Sequence, residues 1–280
     1  MMTPIVAASG AEIPAIGFGT WQLKGDTARQ CVQTALDTGY RHIDTAAMYG
    51  NESEVGEAIR AHGTRPGEVF VTTKVWSSDL ADGQLQRSAE ASLKRLGMDQ
   101  VDLLLIHWPS RGIPFAEQIH ALCDAKRRGL TRHIGVSNFP PRFVEAALKV
   151  ADEPIAVNQV EHHPYLDQRE LMAVCARHAI ALTSYSPLGR GRLLEEPALG
   201  EIATARGKTP AQIVLRWHLQ QPMNIAIPRS SSPLRISENF SIFDFELSAD
   251  EMAWISGLAR PDGRMVNAGY PSDWNGAPES

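Results

Sequence analysis

Short apolar runs ending in a polar residue recur along the chain, with helix-like patterns between them. Four are Phe70-Val71-Thr72-Thr73-Lys74, Val101-Asp102-Leu103-Leu104-Leu105-Ile106-His107, Ile155-Ala156-Val157-Asn158-Gln159 and Ile180-Ala181-Leu182-Thr183-Ser184-Tyr185. Such near-continuous runs suit strands covered on both faces, as in parallel sheets. The pattern predicts eight strands, near 17–21, 41–44, 69–74, 101–107, 131–136, 155–159, 180–185 and 224–227. Ala28, Cys31, Val32, Ala35 and Leu36 keep the spacing of an amphipathic helix, which Gly39 stops. Asn51 with Glu54 reads as a capping box opening a second helix. Leu85, Ala89, Leu93 and Leu96 mark a third, closed by Gly97. Later helices are expected over about 114–128, 141–149, 168–178 and 209–220, and residues 4–16 read as a hairpin with Gly10 in its turn.

Strand–helix repetition of this length fits a closed barrel or an open doubly wound sheet. An open dinucleotide-binding sheet announces itself with G-x-G-x-x-G after its first strand. Gly17-Phe18-Gly19 is followed by Thr20-Trp21-Gln22, which lacks the third glycine, and Gly189-Arg190-Gly191 fails the same test. No P-loop sequence appears. The expectation is therefore an α/β chain folded as a (β/α)8 TIM barrel, with an N-terminal β-hairpin and additional C-terminal helices. No linker or low-complexity segment divides residues 1–280, so one domain is expected.

Composition narrows the function classes. With 43% hydrophobic and 21% charged residues the chain is an ordinary globular one. Its net charge of −5 argues against a general affinity for nucleic acid or anionic lipid. The longest basic run is Lys126-Arg127-Arg128, which suits a helix end. There is no run of 18 apolar residues, and Met1-Met2-Thr3-Pro4-Ile5 does not open a secretory signal. Cys31, Cys123 and Cys175 are odd in number and far apart, as buried reduced thiols would be. A cytoplasmic location, with no membrane and no nucleic acid partner, is expected.

The strand ends carry the chemistry. Asp44, Lys74, His107, Ser137 with Asn138, Gln159, Tyr185 and Arg229 each end or follow a predicted strand. In a parallel barrel all these positions share one rim. Polar strand ends can simply meet water, which accounts for Ser and Asn. It does not account for a Lys and an Asp that each follow an apolar strand, with Tyr49 and His107 near them. A tyrosine is protonated near neutral pH and can give a proton to a carbonyl oxygen. Lys74 could ease that release, Asp44 could hold Lys74, and His107 could bond the oxygen. His162-His163 is not expected to bind metal, because adjacent side chains on an extended chain diverge.

The chain resembles the aldo-keto reductase family. The resemblance rests on Gly39-Tyr40-Arg41-His42-Ile43-Asp44-Thr45-Ala46 with Tyr49-Gly50-Asn51-Glu52, and on Leu105-Ile106-His107-Trp108-Pro109. It continues through Gly135-Val136-Ser137-Asn138-Phe139, Asn158-Gln159 with His163-Pro164-Tyr165, Ser184-Tyr185-Ser186-Pro187-Leu188-Gly189 and Ile225-Ala226-Ile227-Pro228-Arg229-Ser230. Among branches it is nearest the bacterial 2,5-diketogluconate reductases, which also act on methylglyoxal; the tail Asp262-Gly263-Arg264-Met265-Val266 and Trp274 resembles that branch.

The resemblance implies an NADP-dependent oxidoreductase acting on CH-OH groups, a monomer that reduces small carbonyl substrates with NADPH. It implies a catalytic set of Asp44, Tyr49, Lys74 and His107, with Tyr49 the general acid. Gly19, Thr20, Trp21, Asp44, Ser137, Asn138, Gln159, Tyr185, Ser186, Leu188, Ile227, Pro228, Arg229, Ser230, Ser231, Arg235, Glu238 and Asn239 would hold NADPH/NADP+. Ser232-Pro233 reads as the cap and first residue of a helix whose N-terminus attracts anions. Trp21, Tyr49, Trp76, His107 and Trp108 would meet the substrate, and Arg111 is a candidate for attracting an acidic one. Arg229 stands where the family usually has Lys; the Arg keeps the charge and adds a bidentate geometry. The other class of reading is a nucleotide-binding sensor or interaction subunit with little turnover; the intact set of four argues for turnover.

Overall fold

The computed structural model describes residues 3–65 and 67–266; Met1, Met2 and Trp274 lie outside them. The chain opens with an antiparallel hairpin, β1 (Ile5–Ala8) and β2 (Ala11–Pro14), with Gly10 in its turn. Eight strands then alternate with helices: β3 (Phe18–Gly19), α1 (Gly25–Thr38), β4 (His42–Asp44), α2 (Glu52–His62), β5 (Phe70–Val75), α3 (Gln84–Leu96), β6 (Val101–Ile106) and α4 (Phe115–Arg127). The series continues with β7 (Thr131–Ser137), α5 (Pro141–Val150), β8 (Ile155–Glu161), α6 (Arg169–Arg177), β9 (Ala181–Tyr185), α7 (Pro197–Arg206), α8 (Pro210–Leu219) and β10 (Asn224–Ala226). Helices α9 (Pro233–Phe240) and α10 (Ala249–Ser256) follow.

Strands β3 to β10 pair in parallel with their chain neighbours. The ring closes where Gly17 N donates to the Ala226 carbonyl (2.9 Å), Gly19 N to that of Pro228 (3.0 Å) and Ala226 N to that of Ala15 (3.0 Å). The result is the expected (β/α)8 barrel.

The apolar runs are continuous because each strand is covered twice. In β6, Leu103 and Leu105 join an inner cluster with Val157, Ala181 and Ile225, while Leu104 and Ile106 join the layer packed by the helices. Ala8, Ala11 and Ile13 belong to the inner cluster, so the hairpin plugs one end of the barrel. That leaves the other end, where the strands finish, for a site.

Helix boundaries follow local signals. Gly97 ends α3 at φ 66°, and its N–H bonds the Leu93 carbonyl; a Cβ would be strained there. The capping box expected at Asn51 is not formed: α2 begins at Glu52, but the Asn51 side chain makes no cap bond. It turns inward, as described below. Helices α7 and α10 fall among the additional C-terminal helices, but the apolar pattern did not place them. In α7 only Leu199 and Ala203 are buried, too few to mark a periodic face. A signal for α10 is present in Ser248-x-x-Glu251, which forms a full capping box. No helix among the described residues is long and apolar enough to cross a membrane.

Several histidines are buried as neutral rings. His42 lies 3.1 Å from Thr72 Oγ1, and burial pushes it down to about 4. His162 lies 3.0 Å from Ser184 Oγ and is pushed down to about 3, first by burial. His218, bonded to the Pro187 carbonyl (3.1 Å), is held well below its ordinary value by burial, then by His162. When the chain unfolds these rings regain an ordinary pKa near 6.5. Below that pH the unfolded state binds more protons, so stability is full above it and declines as pH falls toward the folded values. The slope approaches about 1.4 kcal/mol per pH unit for each ring. Urea unfolding at pH 6.5 and 5.0 should show a loss of at least about 2 kcal/mol. An unchanged free energy would mean that these rings take up protons without unfolding.

Candidate active site

Four side chains meet at the finishing end of the strands. Asp44 ends β4, Lys74 lies in β5, His107 follows β6, and Tyr49 ends the helical turn Ala47–Tyr49 after β4. Lys74 Nζ donates to Asp44 Oδ1 (2.6 Å), to the Thr45 carbonyl (2.8 Å) and to the Tyr49 hydroxyl (3.4 Å). Asp44 Oδ2 accepts from Gln159 Nε2 at 2.7 Å. The Tyr49 and His107 rings meet edge to face at 5.6 Å, and Trp76 packs on His107 at 5.1 Å. Lys24 Nζ donates to the Tyr49 carbonyl and steadies the turn from outside.

Burial sets the protonation states. It pushes the Tyr49 phenol well above 10, and Asp44 adds to this. It also pushes the Lys74 ammonium down, against the pull of Asp44. His107 is held well below 6.5 by burial and then by Lys74. Tyr49 is therefore a neutral phenol carrying its proton, and His107 a neutral imidazole. The buried Nδ1 of His107 has no hydrogen-bond partner within the protein.

Asp44, Tyr49, Trp76 and His107 line a cavity of about 870 Å³. Of the expected residues, Gly19, Trp21, Asp44, Tyr49, Trp76, His107, Trp108, Asn138, Gln159, Tyr185, Ser186, Leu188, Ile227, Pro228, Arg229, Ser230, Ser231, Arg235, Glu238 and Asn239 all line it. Lys74 stands behind Tyr49. Thr20 and Ser137 are buried behind the wall. Thr20 Oγ1 donates to the Asp44 carbonyl (3.0 Å), and Ser137 Oγ to that of Gln159 (2.7 Å). Arg111 is exposed on the loop after β6 and is not on the wall.

Sequence reasoning missed Gln22, Met48, Arg190, Leu194, Thr209 and Val266 as wall residues. Arg190 had a faint signal, a cation between two glycines; its guanidinium lies 5.6 Å from the Trp21 ring. Val266 lies in the tail that resembles the 2,5-diketogluconate reductase branch, but no local pattern says where a tail returns.

The wall has the features a phosphorylated nucleotide needs. Ser232 caps α9, its Oγ accepting from Arg235 N–H, and Pro233 is its first residue, so the helix starts on the cavity wall beside Arg229 and Arg235. Arg229 Nε donates to the Trp21 carbonyl at 3.2 Å. Further round the ring, Asn138 Nδ2 donates to the His107 carbonyl (2.9 Å) and Asn138 Oδ1 accepts from the Tyr185 hydroxyl (2.8 Å). His162 and His163 diverge, one to Ser184 and the other to Glu161.

Asn51 organises the approach to Tyr49. Its Oδ1 accepts from Thr45 Oγ1 (2.7 Å), and its Nδ2 donates to the carbonyls of Thr20 and Leu23 (2.9 Å each). It thereby ties the loop after β3, which carries Trp21, to the turn that carries Tyr49. These bonds are worth more than a cap because the amide is wholly buried.

Known proteins share this architecture. The aldo/keto reductase family pattern matches residues 15–260. An aldo-keto reductase of Mycolicibacterium vanbaalenii is 50% identical over 248 residues, 88% of this chain and 88% of that protein. A crystal structure with the provisional name 2,5-diketo-D-gluconic acid reductase B superposes with a TM-score of 0.94 at 46% identity, covering 96% of this chain and 95% of that one. The aldo-keto reductase of Bombyx mori, solved in complex with NADP, gives 0.90 at 33% identity, with 99% and 98% covered.

The Asn51 geometry separates two roles. As an N-cap, Asn could be replaced by Asp with little effect. In the observed network Asn51→Asp turns a carboxylate oxygen toward two carbonyls and loses both donated bonds. Asn51→Asp should therefore lower unfolding stability by about 2 kcal/mol or more in urea titrations; wild-type stability would return Asn51 to the role of a cap.

Proposed function

We propose that this chain, which belongs to the aldo/keto reductase family, reduces small aldehydes, ketones and dicarbonyls to alcohols with NADPH. The observation that carries the reading is Lys74, shared between Asp44 and the Tyr49 hydroxyl at the wall of a cavity that also holds Arg229 and Arg235. NADPH, when bound, supplies the hydride for the carbonyl carbon. Every other role belongs to the chain.

Arg229, Arg235 and the start of α9 match an anionic 2′-phosphate in charge and donors. Asn138 and Gln159 offer amides to a carboxamide, and Tyr185 offers a ring face to stack on. Ser186 and Leu188 would lie along the pyrophosphate, and Glu238 and Asn239 would meet the adenine. Tyr49 gives its proton to the carbonyl oxygen. Lys74 stabilises the phenolate left behind, and Asp44 keeps Lys74 charged and aimed. His107, being neutral, can donate a hydrogen bond to the same oxygen and orient it. Trp21, Trp76 and Trp108 give the substrate apolar walls. Methylglyoxal and 2,5-diketogluconate-like dicarbonyls are the substrates proposed, in line with the name carried by the similar crystal structure.

NADPH absorbance, followed with methylglyoxal, an aromatic aldehyde and 2,5-diketogluconate, tests the reading directly. Tyr49→Phe should lower kcat by about 10²- to 10⁴-fold while NADPH binding, read by fluorescence, stays unchanged. Full activity in that variant would place the proton donor elsewhere. Catalytic efficiency should be higher with NADPH than with NADH, and Arg235→Ala should narrow the gap by about ten-fold or more. Equal efficiency with the two nucleotides in the unaltered chain would refute the 2′-phosphate assignment.

A further inference from the structure

Val266 reaches the cavity from beyond α10, and a buried carboxylate holds it there. Glu161 ends β8 with its side chain shut off from solvent. Its Oε1 accepts from Met265 N–H at 2.7 Å, and its Oε2 from Val266 N–H at 2.9 Å. The His163 ring nitrogen lies 2.9 Å from Oε1, and the Arg264 guanidinium 3.9 Å from Oε2. The strand's end therefore presents an anion whose two oxygens are both spent on the backbone of one tail.

The approach of that tail is also fixed. Gly263 lies so close to the Tyr165 carbonyl that a Cβ would stand 1.8 Å from its oxygen, so only glycine fits. Arg260 N donates to the same carbonyl at 3.1 Å, and the Arg260 guanidinium sits 4.0 Å from the Tyr165 ring centre. Residues 260–266 are thus strapped onto residues 161–165. Burial alone would raise the Glu161 carboxyl, but His163 and the two tail amides outweigh it and hold the group below its ordinary value. The clamp stays ionised, and bonds to an ionised acceptor are stronger than neutral ones.

Position gives the clamp its meaning. In a ring of eight strands, β8 stands four places from β4, the strand that leads to Tyr49. Glu161 is also register partner to Tyr185, a wall residue. The tail enters over that side, and Val266 adds an apolar surface to the cavity wall there.

We propose that Glu161 is a specificity-determining positioning residue: by clamping the amides of Met265 and Val266 it fixes Val266 as a substrate wall that large carbonyl compounds touch and small ones do not. The proposal rests on the reductase reading given above. Glu161 itself is not on the cavity wall.

The test compares KM for methylglyoxal with KM for a bulky aromatic aldehyde such as 2-naphthaldehyde. Glu161→Gln keeps the size but turns an N–H group toward one tail amide. It should raise KM for the naphthaldehyde about ten-fold, the scale of a lost apolar contact, and leave that for methylglyoxal within two-fold. The NADPH Kd should not move. Val266→Gly, which leaves the buried carboxylate untouched, should give the same size-dependent pattern even if the Glu161 variant does not fold. The double variant should be no worse than either single one, since both remove the same wall. Equal KM shifts for the two aldehydes, an additive double variant, or a silent Val266→Gly would each overturn the proposal while the reductase reading stands. Absence of any turnover in the unaltered chain would overturn both.

Discussion

A lysine and an aspartate face each other without solvent at the end of the barrel, and the site depends on their pairing. Removing two charges from water costs several kcal/mol each, and attraction offsets this only when the remaining polar atoms are also bonded. Here they are. Asp44 gives one oxygen to Lys74 and the other to Gln159, while Lys74 also reaches the Thr45 carbonyl and Tyr49. The pair therefore fixes β4, β5 and β8 relative to one another as well as itself. Through Thr45 and Asn51 the constraint extends to the loop that carries Trp21.

The barrel makes this economical. Each strand contributes one or two polar residues at its finish, and the ring brings them to a common floor. The opposite end is closed by the hairpin residues Ala8, Ala11 and Ile13, so the cavity opens one way only. Burial then does chemical work: it keeps the Tyr49 proton in place and the His107 ring uncharged, states that a wet surface would not impose.

Much of this was legible in the sequence, for identifiable reasons. Strands such as Val101–Ile106 were plain because both faces are buried from Leu103 onward, which leaves the apolar run Leu103–Ile106 ending at His107. Helices with a full apolar stripe, such as α1 and α3, were plain too. What failed were features decided by distant partners. Asn51 has a cap-like position, yet three long-range bonds draw its side chain inward. Val266 and Glu161 meet across 105 positions, and no periodicity records such a contact.

The bond between Gly17 and Ala226 has a bearing on how the molecule is made. A ring of parallel strands cannot close until its last member exists, so about four-fifths of the chain must leave the ribosome before the first strand finds its second neighbour. Until then β3 presents a bare sheet edge, open to pairing with other chains. The turn that carries Tyr49 follows β4, whereas Arg229 and Arg235 follow β10, so a nascent chain carries one half of the cavity's polar groups long before the other half exists.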